Sequence, residues 1–206
     1  MIQNIIFDFG DVFINLNKTE TVARLSKKFG AFELSEEMIA KNDAYEMGLL
    51  TTEEFVAYYQ SIFPTATESE LIDAWNAIML DIPEHRLEFI EALAAEKKYK
   101  LFLLSNTNDL HIEYTIKTFG EEKWNRFKAC FDVFYLSYEI NFRKPNADIF
   151  EFVLNENNLN PAETLFIDDT LEHIETAKSL GIQTWNLIPG TNDITELFDQ
   201  PFDFKK

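Results

Sequence analysis

The chain alternates between short, largely apolar runs and stretches with apolar residues at helical spacing, and the runs end on polar groups. Ile2 to Phe7, Tyr99 to Leu104 and Thr164 to Ile167 are such runs. They are too short for helices and apolar enough for strands covered on both faces of a parallel sheet. Cys130 to Leu136 and Ile182 to Leu187 read as two more. Helices are predicted near Glu84 to Ala95, after Asn108, from a first turn at Pro145, and near Leu171 to Leu180. Strands spaced by about 30 residues fit right-handed crossovers in a parallel sheet.

One interval breaks the rhythm. Asp8 and Ser105 lie 105 − 8 = 97 residues apart, far beyond the ~30 of a strand-helix-strand unit, so a segment is inserted there. Asn17 to Leu80 is patterned as helix almost throughout. Thr51-Thr52-Glu53-Glu54 reads as a capping box with Leu50 and Phe55 as its staple, and Thr67-Glu68-Ser69-Glu70 repeats the device. Phe55, Tyr58, Tyr59 and Ile62 recur at helical spacing, as do Leu71, Trp75, Ile78 and Met79. The expected fold is α/β: a Rossmann-like parallel-sheet core from residues 1–15 and 84–206, with residues 16–83 as a small inserted cap of about four helices. The tail after Pro189, with Phe198, Phe202 and Phe204, is expected to pack over the last strand.

Charge narrows the partners. The 206 residues carry 18 basic and 36 acidic side chains, a formal charge of −18, with no polybasic stretch. Nucleic acid and anionic membrane both need a positive footprint, so neither is expected. No run approaches membrane-spanning length, and Met1-Ile2-Gln3-Asn4 lacks the pattern of a signal peptide. A single cysteine, Cys130, excludes an internal disulfide and suits a reducing, cytoplasmic setting. His85, His111 and His173 share no metal-ligand spacing, and a helix-surface role is expected for His111.

The polar groups at the strand ends are the candidate chemistry. In open α/β sheets ligands gather beyond the carboxyl ends of the strands. Asp8-Phe9-Gly10-Asp11, Ser105-Asn106-Thr107-Asn108, Arg143-Lys144-Pro145 and Asp168-Asp169 would converge there, although distant in sequence. Each alone has a plainer reading: a turn aspartate, a helix cap, a solvated lysine. Their joint order outweighs these.

These segments, with Ile5-Ile6-Phe7 before Asp8 and Phe166-Ile167 before Asp168, resemble the haloacid dehalogenase superfamily. Over essentially the whole chain the match is to the branch whose helical cap follows the first strand, and within it to sugar-phosphate phosphatases such as the α-glucose-1-phosphate phosphatases. The resemblance implies that Asp8 is a nucleophile that forms an aspartyl phosphate. It implies Mg²⁺ held by Asp8, Asp169 and the carbonyl of Gly10, with Asp168 beside the metal orienting its water. Ser105, Asn106 and Lys144 would bind the transferring phosphate of a small phosphorylated metabolite, and cap residues around Asn42, Tyr45 and Glu46 could overhang it. The chain departs from the pattern at Gly10, where most such phosphatases carry a second, acid-base aspartate. Asp11 is the candidate stand-in, and a cap residue or solvent could also serve. A metal-independent dehalogenase, or a weak phosphate-binding regulator, are the alternatives.

Overall fold

A computed structural model of the chain describes residues 1–205. β1 (Asn4–Phe7) leads into four inserted helices, α1 (Glu20–Phe29), α2 (Glu36–Glu46), α3 (Thr52–Ile62) and α4 (Glu68–Asn76). Then follow α5 (Glu84–Glu96), β2 (Lys100–Ser105), α6 (Asp109–Phe119), α7 (Glu121–Lys128), β3 (Val133–Leu136) and the single-turn α8 (Ser137–Ile140). The series closes with α9 (Ala147–Glu156), β4 (Thr164–Asp168), α10 (Leu171–Ser179) and β5 (Gln183–Asn186). The sheet order is β3-β2-β1-β4-β5, and every pair is parallel. Among the described residues no helix is long and apolar enough to cross a membrane.

Side chains alternate across this sheet, and each face builds its own core. Ile5, Phe7, Leu101, Leu103, Leu165 and Ile167 pack with Leu87 and Ile90 of α5 and Phe127 of α7. Ile6, Phe102, Leu104 and Phe166 pack on the other face with Ile149, Phe150 and Val153 of α9 and with Ile174 and Ala177 of α10. A third cluster lies wholly among the inserted helices apart from Leu110 of α6, and includes Leu25, Met38, Tyr45, Phe55, Tyr59 and Leu71. Both capping boxes form: Thr51 and Thr67 accept from the backbone of Glu54 and Glu70, whose carboxylates reach back to the cap N–H groups.

Some expectations need correction. The helix predicted through Met79 stops at Asn76. Met79 instead forms an antiparallel bridge with Leu16 and joins the sheet-side core, because a turn residue can keep helical spacing without being helical. Pro145 precedes α9 by two residues rather than opening it. Cys130 lies before β3, buried, its thiol donating to the Arg126 carbonyl. The tail shares the core cluster of Trp185 and Leu187 at the last strand and extends beyond it. Ile194 and Leu197 join the α5 side of the core, and Phe198 and Phe204 meet Tyr99 near the start of β2. Its backbone also ties to the chain start, where Ile2 donates to the Asp203 carbonyl.

Candidate active site

The carboxyl ends of β1, β2 and β4 open into a cleft of about 300 Å³ whose walls include Asp8, Gly10, Ser105, Asn106, Asp169 and His173. Lys144, from the loop between α8 and α9, lies beneath it with no exposed side-chain surface. Its ammonium donates to Asp8 Oδ1 (2.6 Å), Asp168 Oδ2 (2.7 Å) and the Leu104 carbonyl (2.8 Å). Three donors meet three acceptors, so the buried charge is fully satisfied. Asn106 fixes the loop that carries it. Its side-chain amide donates to the Lys144 carbonyl (2.7 Å) while its Oδ1 accepts the Lys144 N–H (2.9 Å). That amide is thereby occupied as a positioning clamp. The Ser105 hydroxyl makes one long contact of 3.4 Å and is otherwise open to the cleft.

The carboxylates are unequal. Burial, reinforced by the neighbouring Asp168 and Asp169, lifts the Asp8 pKa to about 7, although Lys144 pulls the other way. Asp8 Oδ2 has no partner among the described residues, which leaves one oxygen for chemistry while the other holds the lysine. Asp168 is also buried, yet Lys144 and His173 outweigh that penalty and hold its pKa down to about 2. Its Oδ2 pairs with Lys144 and His173 and its Oδ1 accepts the Thr170 N–H (2.8 Å). Both oxygens are engaged, so Asp168 serves the lysine before it could serve an ion.

Carboxylate oxygens of Asp8, Asp168 and Asp169 lie within 4.8 Å of one another. An all-oxygen donor set of this charge suits a hard divalent cation such as Mg²⁺; the raised pKa of Asp8 reflects burial first and the neighbouring carboxylates second, and a cation there would favour its ionised form. Asp8 and Asp169 have the better claim as ligands. Gly10 lines the same cleft, and a Cβ there would meet Leu16 Cδ1 at 2.8 Å.

Asp11 is brought close but held in a turn. Its φ is +54°, its Oδ1 accepts the Leu16 N–H (3.0 Å) and its Oδ2 faces the Lys18 ammonium at 3.0 Å. Both oxygens act as acceptors, one to the backbone and one to the Lys18 ammonium. Lys18, in the turn leading into α1, also pairs with Asp169. From the inserted helices Glu46 reaches the cleft, where Arg143 pairs with it at 2.8 Å and with Asp43 at 3.2 Å. Burial raises the Glu46 pKa, and Arg143 offsets part of that.

A family model described as haloacid dehalogenase-like hydrolase matches residues 5–187. The chain belongs to that family. A relative, the D-ribitol-5-phosphate phosphatase of Bacteroides thetaiotaomicron, is 28% identical over 191 residues, 90% of this chain and 91% of the relative. A family enzyme of the same organism, solved with magnesium and inorganic phosphate, is 31% identical with a TM-score of 0.77, over 96% of this chain and 100% of that one. A structure described as a predicted HAD-like family hydrolase, from Porphyromonas gingivalis, is 29% identical with a TM-score of 0.81, covering 97% of each chain.

Within this family member several site residues escaped the sequence reading. Lys18 lies in a stretch without apolar pattern, and nothing local marks it. His173 pairs with Asp168 at 2.9 Å, and its position five residues on, in the first turn of α10, was the available signal. His111 is not on a helix surface. It is buried, stacked on Trp75 of α4 at 5.2 Å and bonded to the Trp75 carbonyl, a contact that only the folded insert creates.

Proposed function

We propose that this chain is a Mg²⁺-dependent phosphatase acting on small phosphomonoesters, sugar or polyol phosphates, through a phosphoenzyme formed on Asp8. The observation that carries the reading is one buried ammonium shared by Asp8 and Asp168, beside a third carboxylate, at the carboxyl edge of the sheet. The relatives' names add support: one hydrolyses a polyol phosphate, and another was solved with magnesium and phosphate. Attack on carbon by a dehalogenase has no use for three clustered carboxylates.

Asp8 Oδ2 would attack phosphorus as the bond to the leaving alcohol breaks, splitting one hard displacement into two easier ones. Water then attacks phosphorus, the Asp8–phosphorus bond breaks and inorganic phosphate departs. Lys144 orients Asp8 and offsets charge that builds on the transferring oxygens, while Ser105 donates to one of them. Mg²⁺, held by Asp8 and Asp169, would supply positive charge at the phosphoryl oxygens. Gly10 offers no proton, so solvent must protonate the leaving oxygen. Poor leaving groups should therefore react slowly, since general acid help is worth about 10²–10⁴-fold.

The test is turnover of p-nitrophenyl phosphate, whose leaving group needs little protonation. Activity with Mg²⁺ should vanish with EDTA, and Asp8→Asn should lose turnover while its circular dichroism is unchanged. Activity indifferent to EDTA overturns the metal, and an Asp8→Asn protein as fast as wild type overturns the nucleophile.

A further inference from the structure

We propose that Glu46, held by Arg143, is the specificity-determining residue of the cleft: its carboxylate accepts hydroxyl groups of a neutral polyol or sugar body and turns away esters bearing a second anionic group. The inference rests on the phosphatase reading and extends it to the end of the substrate remote from phosphorus.

Glu46 is the last residue of α2, and its backbone is fixed against the core. Its carbonyl accepts from Ser137 Oγ at 2.5 Å, and the next carbonyl, that of Met47, accepts from Asn141 at 2.8 Å. The side chain is then aimed by Arg143, whose Nε and Nη2 both donate to Oε2, at 3.2 and 2.8 Å. Oε1 receives no hydrogen bond from the described residues and is not sealed in protein; the side chain keeps 22% of its surface and lines the cleft. A carboxylate with one oxygen anchored and the other open is an acceptor waiting for donors. Arg143 precedes Lys144 directly, so this acceptor sits at a fixed reach from the ammonium that marks the phosphoryl position. Ile14, Leu16, Ile78 and Met79 also line the cleft and offer apolar surface to a carbon chain.

Charge decides which donors. Asp8, Asp11, Asp43, Glu46, Asp168 and Asp169 face Lys18, Arg143 and Lys144, six carboxylates against three cations. Arg143 is already matched to two carboxylates and has no charge to lend. Even with a divalent cation present the balance stays negative, and the phosphate itself adds more. A second anion would enter an unfavourable field at close range, whereas neutral hydroxyls would meet Glu46 as donors.

The experiment measures kcat/KM of the Mg²⁺-loaded enzyme for neutral-bodied esters, ribitol 5-phosphate and glucose 6-phosphate, against 6-phosphogluconate and fructose 1,6-bisphosphate. Wild type should favour the neutral pair by roughly tenfold or more, and Glu46→Gln should shrink that ratio by a similar factor, chiefly through KM. The loss on ribitol 5-phosphate should exceed that on p-nitrophenyl phosphate, which has no hydroxyls to read. A wild-type preference for the acidic esters overturns the inference, as does an equal ratio in wild type and Glu46→Gln, even where p-nitrophenyl phosphate is turned over. A wild-type enzyme inert on every ester, p-nitrophenyl phosphate included, overturns the phosphatase reading itself and this inference with it.

Discussion

Lys144→Met keeps the length and most of the volume of the side chain and removes only the ammonium. In the wild type that group, without exposed surface, offsets Asp8 and Asp168 at 2.6 and 2.7 Å. Its loss strands two carboxylates where water cannot easily reach them. Breaking a buried pair in this way costs about 3–5 kcal/mol. In a domain of this size each kcal/mol moves Tm by roughly 2–4 °C, so a fall of about 6–20 °C is expected in metal-free buffer. Thermal unfolding by circular dichroism measures it, and added Mg²⁺ should return part of the loss by supplying another cation to the same carboxylates. Asp168→Asn provides the control. Alone it deprives Lys144 of a partner; combined with Lys144→Met it removes one of the stranded charges. The double variant should therefore be less destabilised than the sum of the singles, with a coupling of about 1–3 kcal/mol. A Tm within about 2 °C of wild type for Lys144→Met, or strictly additive penalties, would refute the argument.

Gly48 has φ +66°, and a Cβ there would overlap the Tyr138 carbonyl oxygen; Gly48→Ala should loosen the insert from the core, seen as faster proteolysis between α2 and α3 with Tm little changed. Burial pushes the His111 pKa down to about 4 from its ordinary 6.5, against its bond to the Trp75 carbonyl. The imidazole is neutral when folded, so the associated stability is intact above about pH 6.5 and is lost as pH falls toward 4, by up to about 3 kcal/mol. Urea unfolding at pH 7.5 and 4.5 should record that slope in wild type and a flatter one in His111→Gln; identical slopes would contradict it. Lys18 pairs with Asp169, so Lys18→Met should bind Mg²⁺ several-fold more tightly by titration calorimetry, and unchanged or weaker binding would show that the ammonium does not compete.

Strand ends were the legible part of this chain. Asp8, Ser105 and Asp168 each follow an unbroken apolar run, and a parallel sheet puts such endings side by side whatever their separation in sequence. Helical spacing was readable for α3 and α4 but could not say where α4 stops, since Ile78 and Met79 keep the period while leaving the helix. The α7 sequence EEKWNRFK carries too few apolar residues to announce itself, though Trp124 and Phe127 anchor it in the core. Pairings between the insert and the sheet, Trp75 with His111 or Glu46 with Arg143, join segments whose patterns are unrelated. They are set by how the two clusters dock, and docking leaves no period to read. Asn106 shows a subtler case: its amide bonds both ways to the Lys144 backbone, a pairing across 38 residues that no local pattern announces.

β1 is the first strand made and the middle one in the finished sheet. Both its neighbours are synthesised later, β2 from residue 100 and β4 from residue 164. A growing polypeptide on the ribosome therefore carries Asp8 long before Lys144 or Asp169 exist to flank it. On the proposed mechanism, a fragment that ends before residue 144 would lack the ammonium and one that ends before residue 168 would lack two of the three clustered carboxylates, so the centre would be assembled only as β4 joins the sheet.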